Sequence, residues 1–172
     1  GGEEYKIRKK LIENDLVEAI VILPRNMFYT TDISVTLWIL NANKKLRKFE
    51  QNGVNKVHRD RTGEILFTNL RHKGIPFEKK FTQFNQEIVD KISSTYHTWQ
   101  SDKEAYKDVP EYCYSALKNE VEKKDYSLVP SKYIEIDTKM KALQSEFKTL
   151  LAEEEKSNKE LLHTFKELGY AI

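Results

Sequence analysis

Residues 7–41 read IRKKLIENDLVEAIVILPRNMFYTTDISVTLWILN. A helical pattern is followed by an apolar run, a polar loop and a second apolar run. IVIL, Ile20–Leu23, and VTLWIL, Val35–Leu40, are rich in β-branched and aromatic residues and are bounded by Pro24, Asp32 and Asn41. Such runs form interior strands of an α/β sheet, predicted here over Leu16–Leu23 and Val35–Leu40. No helical pattern lies between them, so the second strand is expected to return antiparallel to the first. The loop sets Arg25, Asn26, Phe28, Tyr29, Thr30 and Thr31 at a strand terminus, where α/β folds build sites.

Working outward, Tyr5, Ile7, Leu11 and Ile12 have helical spacing, which predicts a helix over Glu3–Asn14. Glu64–Leu70 reads as a third strand. Phe81, Phe84, Ile88, Ile92, Tyr96 and Trp99 recur every three or four residues, so Lys79–Gln100 reads as a helix with one core-facing side. Val109-Pro110 makes Asp108–Tyr114 extended or loop. Leu117–Lys123 offers one or two helical turns. Pro130 confines an extended Tyr126–Ile136 to an edge or a loop.

Asp137–Leu168 reads as a long helix, with Asp137 as N-cap and Gly169 as its stop. Met140, Leu143, Phe147 and Leu150 follow a coiled-coil spacing. Leu161, Phe165 and Leu168 resume it beyond the polar stretch Ala152–Glu160. At 1.5 Å per residue such a helix is about 48 Å long, more than a small sheet covers. Its apolar ends are therefore expected to meet another surface.

The chain has 172 residues, 33% charged and 39% hydrophobic, with a net charge of +2. That balance argues against a strongly basic nucleic-acid arm. No apolar run approaches the ~18 residues of a membrane span, and no signal-like segment opens the chain. Cys113 is the only cysteine, which excludes a disulfide framework; it reads as a half-buried small hydrophobe. His58, His72, His97 and His163 have no ligand partner at metal-binding spacing, and no metal is expected. Ser34 lacks a nucleophile elbow. Between the second and third strands, Lys44, Lys45, Arg47, Lys48, Lys56, His58, Arg59 and Arg61 face only Glu50 and Asp60. This basic insert is either a solvated loop or a phosphate contact.

Three stretches carry a family likeness. Gly1–Ile33 has the pattern GG-x-E-x-x-IRK-x-LIE-x-DLVEAI-x-x-LP-x-N-x-FY-x-T-x-I. Gly63–Arg71 reads GEILFTNLR, and Asp125–Ile136 reads DYSLVPSKYIEI before the long helix. In this order they resemble the methylase subunit of type I restriction–modification systems, adenine-N6 DNA methyltransferases that use S-adenosylmethionine. The resemblance implies an α/β fold: the C-terminal part of a Rossmann-like methyltransferase sheet, mixed and closed by an antiparallel hairpin. Residues 1–78 would hold that part, 79–136 a helical and extended connection, and 137–172 the assembly helix.

The same family carries a Gly-rich cofactor turn and an Asn-Pro-Pro catalytic motif. This sequence has neither a Gly-x-Gly nor two adjacent prolines. The chain is therefore expected to be a C-terminal fragment, inactive alone. No catalytic residue is expected in it, and the S-adenosylmethionine site belongs to the parent protein. The implied partners are DNA, a specificity subunit, a restriction subunit and a second methylase subunit, in the cytoplasm and without a membrane. DNA-contact candidates are Arg25, Asn26, Phe28, Tyr29, Thr30, Lys44, Lys45, Arg47, Arg59 and Arg61. Trp38 reads as core, with base stacking as its alternative. Subunit-interface candidates are Leu143, Phe147, Leu150, Leu161, Phe165 and Leu168. The competing reading is a non-catalytic docking or nucleic-acid-binding module.

Overall fold

The computed structural model describes residues 2–134 and 138–167; within the last helix, the side chains of 138–142, 144 and 163–166 are not described. The proposed N-cap Asp137, the stop Gly169 and the interface candidate Leu168 lie outside the described residues, as does the side chain of Phe165. The chain forms two compact units, 1–135 and 136–172.

In the first unit, helix α1 (Glu3–Glu13) leads into strand β1 (Val17–Ile22). β2 (Thr36–Leu40) pairs antiparallel with β1, with Ile20 opposite Trp38. β5 (Glu64–Asn69) pairs parallel with β1 on its other side, and β8 (Cys113–Leu117) closes antiparallel on β5. The result is a four-stranded mixed sheet in the order β2-β1-β5-β8. β1 and β5 are central and covered on both faces, which is why their sequences are nearly continuous apolar runs.

One face packs Val17, Ile20, Ile65 and Phe67 against Ile12 of α1, Val121 of α3 (Lys118–Lys123) and Tyr133. Tyr133 stacks on Phe67, ring centroids 4.0 Å apart. The other packs Ala19, Leu66, Leu70 and Cys113 against Trp99 of α2 (Gln86–Ser101). Val17 and Ile20 share a face although three residues apart, because the β1–β2 register shifts between Val17 and Ala19. Glu18 is the extra residue, and a bulge of this kind re-aims a side chain.

Several expectations change. The basic insert is not a loop but a hairpin, β3 (Arg47–Gln51) and β4 (Val54–His58). Asn52 and Gly53, with φ of 53° and 74°, supply the two left-handed residues that a tight hairpin turn requires. The helix predicted from Lys79 begins only at Gln86, where Asn85 caps it by accepting from the Ile88 amide at 2.9 Å. Phe81 instead lies in a small hairpin, β6 (Ile75–Phe77) and β7 (Phe81–Gln83). Pro130–Lys132 is a 3-10 turn rather than extended chain. Trp38, read as core, stands on edge strand β2 and is 44% exposed; Cys113 is fully buried.

The second unit is helix α4 (Thr138–Glu167). Leu143, Phe147, Leu150, Leu151, Leu161 and Leu162 are all exposed along it.

Candidate nucleic-acid interface

β1 and β5 run parallel, so their C-terminal ends open on the same edge of the sheet. The ladder persists one residue further, where the Leu70 amide donates to the Ile22 carbonyl at 2.8 Å. Beyond it the chains part, and Pro24, with no amide hydrogen, ends the pairing of β1. Asn26 then adopts φ of 57°, a conformation Asn tolerates well. Its carbonyl accepts from the Thr82 amide at 2.9 Å, which ties the β6–β7 hairpin to the loop. Tyr29 packs edge-on against Phe81, with centroids 4.6 Å apart. A Cβ on Gly74 would fall 2.0 Å from Thr82 Cγ2, so glycine permits this close approach.

The loop and hairpin frame two adjoining depressions. One, of about 620 Å³, is lined by Pro24, Arg25, Asn26, Ser34, Arg71, His72 and Thr82. The other, of about 310 Å³, is lined by Asn26, Phe28, Tyr29, Thr30, Asp32, Lys80 and Phe81. Arg25 steadies the loop by donating from Nε to the Asp32 carbonyl at 3.1 Å, yet its side chain stays about two-thirds exposed. Tyr29 is 75% exposed. Arg71 donates from Nε to Asn69 Oδ1 at 3.1 Å. The cleft thus offers guanidinium groups, an amide, hydroxyls and exposed aromatic faces. Together these can hold phosphate and stack on a base.

The candidates divide between the two ends of the sheet. Arg25, Asn26, Phe28, Tyr29 and Thr30 gather at the cleft. Lys44, Arg59 and Arg61 do not belong to a contact surface, because the protein consumes their charge internally. Lys44 is buried at the start of β1 and β5, donating to the carbonyls of Val17 (3.1 Å) and Glu64 (2.8 Å) and pairing with Asp15. Arg59 makes a two-pronged pair with Glu64, at 3.0 and 2.7 Å. Arg61 is fully buried against Glu18, and both guanidiniums lie over the Trp99 ring, at 5.5 and 5.7 Å. Lys45 and Arg47 remain exposed, but near this N-terminal end. A six-residue strand separates the two ends by about 20 Å.

Sequence reading missed Arg71, His72, Thr82 and Lys80. Arg71 and His72 directly follow a strand already read as such, so the rule that sites lie beyond the carboxyl ends of parallel strands would have found them. The hairpin that brings Thr82 and Lys80 was hidden inside an apparent helix. Among the described residues no group of His, Cys, Asp or Glu is arranged to hold a metal ion, and no helix is long and apolar enough to cross a membrane.

A family model described as N-6 DNA methylase matches residues 1–142. The chain belongs to the N-6 DNA methylase family. The type I restriction enzyme HindI methylase subunit of Haemophilus influenzae is 34% identical over 133 residues, 77% of this chain and 26% of that protein. The type I restriction enzyme MjaVII methylase subunit of Methanocaldococcus jannaschii is 33% identical over 169 residues, 94% of this chain and 25% of that protein. The chain thus spans about a quarter of the length of these relatives. A crystal structure of the type I restriction–modification methyltransferase subunit of Streptococcus thermophilus superposes with a TM-score of 0.60 at 22% identity. It covers 79% of this chain and 24% of that one. At that identity the likeness is one of fold.

Proposed function

We propose that this chain supplies the DNA-facing cleft and a docking helix of a type I modification methylase, which transfers methyl from S-adenosylmethionine to adenine N6. The observation that carries this reading is the cationic, aromatic cleft at the carboxyl ends of β1 and β5, in a chain whose first 142 residues match the methylase family. An enzyme acting on a base must take it out of the duplex stack. In that step Arg25 and Arg71 hold backbone phosphate, and Asn26, Ser34 and Thr82 offer hydrogen bonds. Phe28 and Tyr29 give the displaced nucleotide a surface to stack on.

The residues here do not fit the cofactor. β1 is followed by Pro24-Arg25 and β5 by Leu70-Arg71-His72, bulky and cationic where a nucleoside cradle needs glycines. A sulfonium cation would also be repelled by Arg25 and Arg71. The chain alone therefore neither holds S-adenosylmethionine nor transfers methyl. The exposed apolar stripe of α4 is the docking element for the specificity subunit, in an assembly with a second methylase subunit and a restriction subunit.

The test places Arg25→Ala and Tyr29→Ala in the complete methylase. The expected result is loss of methyl transfer to DNA with unchanged S-adenosylmethionine affinity. Wild-type methylation by the double variant would refute the assignment.

A further inference from the structure

Residues 71–80, RHKGIPFEKK, hold Arg71, Lys73, Lys79 and Lys80 against the single acid Glu78. This surplus exceeds the net +2 of the whole chain. All four cations are exposed, and among the described residues none is in an ion pair, whereas Lys44, Arg59 and Arg61 are each paired with a carboxylate. Lys73 and Lys80 instead stand 5.8 and 6.0 Å from the rings of Tyr112 and Phe81, at the outer reach of a cation–π contact. No packing or pairing accounts for this much unneutralised charge on a short hairpin.

We propose that the β6–β7 hairpin, with Arg71 and Lys73 at its base, is a backbone grip that binds phosphates of the DNA duplex beside the cleft. This rests on reading the cleft as the DNA face and adds a second element to it. The hairpin is held rather than loose: Thr82 is bonded to Asn26, Phe81 packs on Tyr29, and Gly74 admits Thr82 closely. Arg71 lines the larger depression and Lys80 the smaller, so the charge of this segment is presented beside the cleft. Duplex DNA presents a charge every ~3.4 Å along each strand, so a row of unpaired cations finds several phosphates within reach.

The surroundings favour nucleic acid over an anionic membrane. A membrane-binding hairpin needs apolar side chains to bury in the bilayer. Here Ile75, Phe77 and Phe81 are half-buried in the protein. The exposed aromatic beside the cations is Tyr29, placed for stacking.

The test is fluorescence anisotropy of a labelled DNA duplex titrated with this chain over a salt series. Each neutralised phosphate contributes about 0.9 to the slope of log affinity against log salt. Lys79→Ala with Lys80→Ala is expected to weaken binding for every duplex sequence and to lower that slope by about 2. Lys79→Arg with Lys80→Arg should retain the wild-type slope, and circular dichroism should show both variants folded.

An unchanged slope in the alanine pair overturns the hairpin grip. If Arg25→Ala with Tyr29→Ala then still abolishes binding, the cleft reading survives without it. Loss in the lysine pair but not in the cleft pair leaves the grip standing and removes the cleft. Failure of the wild-type chain to bind duplex at low salt overturns both. Preference for phosphatidylserine vesicles over DNA overturns the choice of ligand.

Discussion

Glu18 and Arg61 meet in the interior: Nε and Nη2 of Arg61 donate to the same Oε1 of Glu18, at 3.0 and 2.9 Å. The guanidinium is fully buried and the carboxylate almost so. Asn41 donates to the other oxygen at 2.8 Å, and Arg61 also donates to the carbonyls of Arg59 and Gln100. The bulge in β1, the β3–β4 hairpin and the end of α2 are thereby fastened together. Burial alone would raise the Glu18 pKa. The hydrogen bonds from Asn41 and Arg61, with the attraction of Arg61, outweigh it and hold the carboxyl below its ordinary value of 4.5.

Acid stability follows from this pair. Glu64 is depressed as well: burial works to raise it, and the hydrogen bond and charge of Arg59 win. Since both carboxyls titrate lower when folded, the stability they contribute is whole above the unfolded value near 4.5 and is lost as pH falls through the depressed values. Arg61→Met leaves Glu18 buried without its counter-charge and should cost roughly 3–5 kcal/mol at neutral pH. Without Arg61, burial lifts the Glu18 pKa, so the variant regains stability, and the deficit narrows, as pH falls through that raised value. Urea melts across a pH series check both the size and the narrowing; a deficit constant with pH would contradict the pairing.

The same pair shows where sequence reading stops. The central strands, their antiparallel hairpin and α1 were legible because buried strands and amphipathic helices leave strong periodic patterns. Lys44, Arg59 and Arg61 were misread because charge is normally solvated, and burying it needs partners distant in sequence, Asp15, Glu18 and Glu64. One signal was available: two acids, Glu18 and Glu64, stand at the starts of two apolar strands and need cations there. The helix start at Gln86 was missed because Phe81 and Phe84 continue the phase of Ile88 by coincidence. Asn52-Gly53 is a pair that favours a tight hairpin turn on sequence alone. At the site, Arg25 to Thr30 were legible as a loop after a strand. Arg71, His72 and Lys80 reach it only through a strand pairing and a hairpin docked by the Thr82–Asn26 backbone hydrogen bond and the Tyr29–Phe81 contact.

Cofactor binding gives a second expectation. Calorimetric titration of this chain with S-adenosylmethionine should show no stoichiometric heat at micromolar concentrations. The reason is the bulky, cationic chain after β1 and β5. A saturable one-to-one isotherm would contradict it.

Assembly gives a third. Phe147 and Leu161 are 62% and 57% exposed on α4. Burying each against a partner helix is worth about 1.5–3 kcal/mol. Phe147→Glu with Leu161→Glu should therefore abolish co-purification with the specificity subunit, or self-association of the chain alone. The ellipticity and melting of the 1–135 unit should not change. Wild-type stoichiometry in the variant would remove α4 as the docking element.

The claim that DNA meets the carboxyl ends of β1 and β5 is tested most directly by amide hydrogen exchange with and without duplex DNA. Slowed exchange over Arg25–Ser34 and Arg71–Gln83, with Arg47–His58 unchanged, is the expected result. Protection confined to Arg47–His58, at the other end of the sheet, would contradict it.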